Sequence, residues 1–103
     1  MRQGANYKVL IEPQSDAGFI SAQIAAARAG ESDAYYELGV AYAVGRRGVD
    51  VDLIEAHKWF NLAAMSGDER AQLDRSEVAA FMTASEIAHA QREARAFLFS
   101  TRH

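Results

Sequence analysis

Residues 34–71 hold the feature that most limits what this chain can fold into: two short helical patterns joined by a loop between glycines. The first pattern repeats apolar residues at the spacing of one helix face: Ala34, Leu38, Ala41 and Tyr42. The second pattern does the same: Ala56, Trp59, Phe60 and Ala63. Gly45 and Gly48 bound the loop and Gly67 follows the second pattern, since glycine adopts positive φ easily. The stretch therefore predicts a helix–turn–helix unit of a stacking repeat. Such units form binding surfaces.

The same pattern recurs along the chain. Residues 26–34 read AARAGESDA and residues 63–71 read AAMSGDERA, so both fit Ala-Ala-x-x-Gly-x-x-x-Ala at an offset of 37 residues. Such an offset is typical of stacked helical repeats. We therefore expect a helical domain over residues 15–103, divided into three parts: a partial repeat at 15–30, a full repeat at 31–67 and C-terminal capping helices at 68–99. In the last part Arg75 stands where Leu38 stood, which predicts a terminal cap with a polar outer face.

Local signals predict where the helices begin and end. The signals for an N-terminal cap are Ser15 or Asp16 for the first helix, Asp52 with Glu55 for the third, and Thr83 with Glu86 for the fifth. Gly30 is expected to end the first helix. The second helix is expected to begin near Ser32 or Asp33 and to run to Val44, the fourth to cover residues 68–81, and the fifth to run from Ala84 to about Phe99. Residues 1–14 are interpreted as an N-terminal arm, either extended or disordered.

Composition narrows the class of protein. The chain has 103 residues, enough for one domain, and its net charge of −3 argues against a nucleic-acid partner. It has no cysteine, which excludes disulfides, thiolate metal sites and a cysteine nucleophile. No apolar run is long enough for a signal peptide or a membrane span. We therefore expect a soluble cytoplasmic protein that binds neither a membrane nor nucleic acid.

The repeat resembles the Sel-one-like repeat family, a relative of the tetratricopeptide repeats. The residues that carry the resemblance are Ala34, Leu38, Gly39, Tyr42, Gly45, Gly48, Val49, Asp52, Ala56, Trp59, Ala63, Ala64, Gly67 and Ala71. The run from Glu55 to Ala64 is similar to short bacterial members. The chain departs from the family in two ways: its Gly45–Gly48 loop is one residue longer than usual, and only one complete unit is present.

The resemblance implies an all-α fold, a short α/α superhelix in which about five helices form a right-handed solenoid of helix–turn–helix repeats. It also implies an adaptor or regulatory scaffold that binds a peptide or helix of a partner protein on its concave face. Because one repeat cannot bury its own apolar face, the flanking helices must cover it, or a second copy must stack on it as a homodimer.

The candidates for chemistry are few. Glu86 and His89 have the spacing of half a di-iron helix motif, but no second such pair exists in the sequence. His57 lies beside Trp59, and general acid–base catalysis would need a convergent partner in a cleft. We therefore predict no enzyme activity and no cofactor. The alternative is a small enzyme or metal-binding protein that uses His57, His89 and nearby carboxylates.

Four residues are the candidates for partner binding: Tyr35, Glu37, Arg46 and Arg47. Tyr35 is not required by the repeat pattern, and an exposed tyrosine is a common interface anchor, so we expect an aromatic and polar patch there. The alternative is that Tyr35 packs on a neighbouring helix. Tyr36 and Tyr42 are expected in the core. The run Phe97-Leu98-Phe99 is interpreted either as a docking or dimer surface or as a poorly packed helix end.

Overall fold

The computed structural model describes residues 18–102, and these form an all-α fold. The helices are α1 Phe19–Arg28, α2 Ser32–Val44, α3 Leu53–Met65, α4 Glu69–Ala79 and α5 Ala84–Thr101. The predicted class, a short α/α superhelix of about five helices, is confirmed. The predicted arm, residues 1–14, lies outside the described residues.

The helix ends follow the capping chemistry in most places. The Asp52 side chain accepts a hydrogen bond from the backbone N–H of Glu55 (3.1 Å), and Thr83 and Glu86 form a reciprocal capping box. Gly30 has a positive φ of 86° just after α1. One expectation is wrong: α1 begins after Gly18, which has no side-chain cap, rather than directly after Ser15 and Asp16. Those two residues lie outside the described part of the chain.

The Asp52–Glu55 pair is only half of a capping box. The Glu55 carboxylate does not return to the backbone of Asp52, because it accepts hydrogen bonds from Trp59 Nε1 (3.0 Å) and from Lys58 Nζ (3.3 Å). The tryptophan N–H is thereby satisfied at the edge of the core. Glu55 therefore fixes the tryptophan ring as well as the start of α3.

Helix α3 is the centre of the packing. It packs against α2, α4 and α5, while α1 packs on α2. Helix α5 follows α4 in the chain but makes few contacts with it, since α5 folds back along α3. The last two helices therefore do not form a second hairpin of the kind that α2 and α3 form.

The outer face of α5 is polar and exposed. Its exposed charged residues are Glu86, His89, Arg92, Glu93 and Arg95. The opposite face turns inward, with Ala90 and Ala94 buried against the rest of the fold. Helix α5 therefore has one polar exposed face and one face of small buried residues.

Three aromatic rings from three helices pack together in one cluster. The Trp59 ring on α3 meets the Phe97 ring on α5 edge to face, with 4.9 Å between ring centroids. Tyr35 on α2 stacks on Trp59 at 6.2 Å and meets the edge of Phe97 at 6.3 Å. Around these rings the helices approach closely through small residues that are almost inaccessible to solvent: Ala34, Ala56, Ala63, Ala71 and Ala94. Phe97 is half-buried and packs against the core, whereas Phe99 is 76% exposed, so only part of the Phe97-Leu98-Phe99 run faces inward.

Packing against α3 explains why a glycine, Gly39, stands inside α2. The Phe60 ring of α3 lies directly over it, so that a Cβ built on Gly39 would overlap the ring. Helices α2 and α3 therefore pack closely at this glycine. The group that needs the space is the Phe60 side chain, not the backbone of α3.

We expect Phe97→Ala to lower the free energy of unfolding by about 3 kcal/mol, because it removes a ring from the aromatic cluster and leaves a cavity. Urea denaturation would measure the change. The matched control is Phe99→Ala, two residues further along the same helix and largely exposed, which should change stability by less than about 0.5 kcal/mol. Equal losses in the two variants would contradict the packing of Phe97 against Tyr35 and Trp59.

We expect Gly39→Ala to destabilise the protein, although alanine is favoured over glycine in helices by about 1 kcal/mol. The added methyl group overlaps the Phe60 ring, and overpacking costs about 1–3 kcal/mol. Ser76→Ala, at the equivalent and exposed position of α4, is the control and should be neutral or slightly stabilising. A higher melting temperature for Gly39→Ala than for the unmodified chain would refute the prediction.

Candidate functional site

The outward side of α2 carries two clefts. On this side Glu37 and Val44 are exposed and Val40 is half-buried. Helix α1 lies on one flank of α2, and α4 faces the other. A cleft opens on each flank, and Val40 lines both of them.

The first cleft is an apolar groove of about 320 Å³ between α2, α3 and α4, named here the α2–α4 groove. Its lining residues are Val40, Ala43, Val44, Leu53, Phe60, Asp74, Glu77, Val78 and Phe81. Val44 is 56% exposed and Phe81, just beyond the end of α4, is 82% exposed. Apolar side chains this accessible are available to a partner without any rearrangement of the core.

A hydrogen bond joins the two helices beside the α2–α4 groove. The Tyr36 hydroxyl on α2 donates to Asp74 Oδ2 on α4 at 2.6 Å, and the Arg70 guanidinium lies 3.9 Å from the centre of the Tyr36 ring. This hydrogen bond, with partial burial as a second cause, raises the pKa of Tyr36 above its usual value of about 10. The tyrosine therefore stays neutral near pH 7 and fixes the position of α4 relative to α2.

The second cleft, named here the arginine cleft, has a volume of about 390 Å³ and lies between α1, α2 and the loop that follows α2. Its lining residues are Phe19, Glu37, Val40, Ala41, Arg46 and Arg47. Arg47 has a φ of 64°, and its guanidinium lies 4.0 Å from the centre of the Phe19 ring. The structure thus brings together three of the four candidate binding residues, Glu37, Arg46 and Arg47.

The fourth candidate, Tyr35, is not on this surface, and the expectation of an exposed tyrosine is wrong. Tyr35 is only 5% exposed, because its ring lies in the aromatic cluster with Trp59 and Phe97. Burial raises the pKa of its hydroxyl. Tyr36 and Tyr42, which were expected in the core, are half-buried instead.

The spacing of Tyr35 contains a signal for this burial. Tyr35, Leu38 and Tyr42 follow one another at three and four residues, the spacing of one helix face. The ring that completes its environment, Phe97, lies 62 residues away in the sequence, and no local pattern connects the two. Sequence reasoning therefore placed Tyr35 on the wrong side of α2.

Sequence reasoning also missed the α2–α4 groove. Glu37, Val40 and Val44 follow one another at three and four residues, which puts two valines on an outward helix face beside a charged residue. That spacing is the signal from which the groove could have been suspected. Phe81 gave no such signal, because its exposure depends on the direction in which α5 leaves α4.

The two histidines have different surroundings. His57 on α3 is 3% exposed, and its Nδ1 has no hydrogen-bond partner within residues 18–102. Burial, and secondly the positive charge of Arg75, lower the pKa of His57. His89 is exposed on α5, with its Nε2 3.7 Å from a carboxylate oxygen of Glu93.

In the described part of the chain no three histidine or acidic side chains are grouped so that they could hold a metal ion.

Among residues 18–102, none of the helices has both the length and the apolar character needed to span a membrane.

Comparison with known proteins gives one match. The family model described as the Sel1 repeat matches residues 32–68, which contain α2, the loop after it and α3. No curated protein and no solved structure shows a significant match to the chain.

We expect the melting temperature to fall as the pH is lowered from 7.5 toward 5. The pKa of His57 is lower in the folded state than the ordinary value of about 6.5, so the unfolded state binds the proton first. Stability is therefore complete above about pH 6.5 and decreases as the pH falls toward the folded pKa. His57→Gln should flatten this part of the profile.

The control for this titration is His89→Gln, which replaces an exposed histidine on α5 rather than the buried one on α3. The pKa of Asp68 is lowered mainly by its hydrogen bond with Arg70, so its contribution is lost only below about pH 4. The two pH windows are therefore separate. A slope between pH 7.5 and 5 that persists in His57→Gln would contradict the prediction.

Proposed function

We propose that this chain, whose residues 32–68 match the Sel1 repeat model, is a small cytoplasmic adaptor or regulatory scaffold without enzyme activity. Proteins of this repeat family generally mediate protein–protein interactions. The partner contributes a peptide or helix that lies across the outward side of α2. The observation that carries the proposal is the α2–α4 groove, an accessible apolar groove between two helices of a repeat fold.

The position of the groove supports this function. Ser32 and Glu69, the first residues of α2 and α4, are 37 positions apart, the same offset as the internal repeat. The two helices are therefore equivalent first helices of successive units, which line the concave face in related superhelices. A helix laid in such a groove inserts side chains spaced three or four residues apart.

The size and lining of the groove suit a few anchor side chains. A volume of about 320 Å³ is at the lower end for ligand sites, enough for one or two large apolar side chains of a partner. Interfaces draw most of their binding energy from such anchors. Val44 and Phe81 would lose water on binding, whereas Phe60 and Val78 form the floor, since both are already buried.

Photo-crosslinking tests this function with two matched positions. One chain carries p-benzoylphenylalanine in place of Phe81, in the groove, and another carries it in place of Phe99, an equally exposed phenylalanine on α5. In lysate of the source organism we expect a distinct protein to crosslink at position 81 and not at position 99. The captured protein is then purified and its binding to the chain measured directly, with Phe81→Glu expected to weaken it at least tenfold and Phe99→Glu less than twofold.

Two results would overturn the proposed adaptor. Equal crosslinking at both positions, or no binding between the purified components, would remove the groove as a docking site. Crosslinks only to a second copy of the chain would replace the separate partner with a homodimer.

A further inference from the structure

The two clefts form one continuous surface across α2 with opposite charges at its ends. Val40 lines both the arginine cleft and the α2–α4 groove. Arg46 and Arg47 lie at the α1 end, and Asp74 and Glu77 lie at the α4 end. A segment bound across α2 would therefore pass from positive to negative charge.

Little within the described residues neutralises these charges. The ion pairs within residues 18–102 are Lys58–Glu55, Arg70–Asp68 and His89–Glu93. Neither arginine of the cleft is among them, and Glu37, which lines the same cleft, forms no ion pair with either arginine. Asp74 already accepts the Tyr36 hydroxyl, so Glu77 is the freer carboxylate of the groove.

Arg47 is also held in place before any partner binds. Its backbone has a positive φ of 64°, which follows the left-handed Gly45, and its guanidinium lies over the Phe19 ring. Stacking uses the face of a guanidinium and leaves the N–H groups in its plane free to donate. A planar carboxylate can accept two parallel hydrogen bonds from such a group. Arg46 is exposed next to it and adds a second positive charge.

We propose that the bound segment is an acidic amphipathic stretch of a partner protein. Its apolar side chains enter the α2–α4 groove, and an aspartate or glutamate on the α1 side of these anchors binds Arg46 and Arg47. This inference rests on the proposed function and specifies the partner's chemistry. A nucleic acid fits this surface poorly, because its phosphates would continue past the arginines to the carboxylate of Glu77 and an apolar groove.

A random 16-residue peptide display library, selected on the purified protein, tests the proposal. We expect the enriched peptides to combine apolar residues with aspartate or glutamate on one side of them. Individual peptides should bind the double variant Arg46→Glu, Arg47→Glu about tenfold more weakly than the unmodified chain. The affinity of the unmodified chain should also decrease as salt concentration rises.

Matched variants separate this effect from a change in fold. Arg92→Glu with Arg95→Glu reverses two exposed arginines on α5 and should change the affinity less than twofold. Arg46→Glu alone keeps the contact between Arg47 and Phe19, and it should still weaken binding about threefold. Thermal melting followed by circular dichroism should show all these variants folded.

The outcomes distinguish the inference from the function on which it rests. Peptides that lose binding in Phe81→Glu, but that lack acidic enrichment and ignore the arginine reversal, would overturn the inference and leave the proposed function standing. Peptides that bind equally to Phe81→Glu would overturn the proposed function itself. Enrichment of basic peptides would overturn the inference by placing the partner's charge at Glu77.

Discussion

The contact between Trp59 and Phe97 is the interaction on which the rest of the structure depends. A single helical hairpin has one face that it cannot bury by itself, and in this chain that face carries Tyr35 and Trp59. Helix α5 covers both rings by folding back along α3, so that Phe97 completes the cluster. The small residues around the rings allow the helices to approach closely, and large apolar area is concentrated in a few side chains.

The same fold-back explains why a groove remains open beside α4. Because α5 packs on α3, it covers little of α4, which contacts the rest of the fold mainly through α3. Two polar contacts position it: Tyr36 with Asp74, and Arg75 with Asn61 at 2.6 Å. Helix α4 is thus held in place on one side, and its other side is exposed to solvent. The core and the candidate binding surface have one structural origin, the direction in which α5 leaves α4.

Most helix boundaries could be predicted from the sequence because they depend on residues close together in the chain. The environment of Tyr35 and the α2–α4 groove could not, because they depend on packing between distant segments. Gly30, Asp52 and Thr83 act on neighbours within a few residues, so their roles could be inferred from spacing alone. Tyr35 could not be placed, because its environment depends on a ring 62 residues away. Arg46 and Arg47 lie in the loop after α2, as their position between two glycines indicates, but Phe19, which stacks with Arg47, belongs to another helix. The groove was missed because it lies between elements and not within any one of them.

The fold-back of α5 also has a consequence for the synthesis of the protein. Helical repeats ordinarily fold through contacts between neighbouring segments, so each unit can form as it leaves the ribosome. Here the rings of Tyr35 and Trp59 lack their contact with Phe97 until residue 97 has been made and has emerged. During that interval the nascent hairpin exposes its aromatic side chains to chaperones and proteases. The order in which the residues are synthesised, and not only their final packing, therefore sets how long these aromatic side chains are accessible to chaperones and proteases.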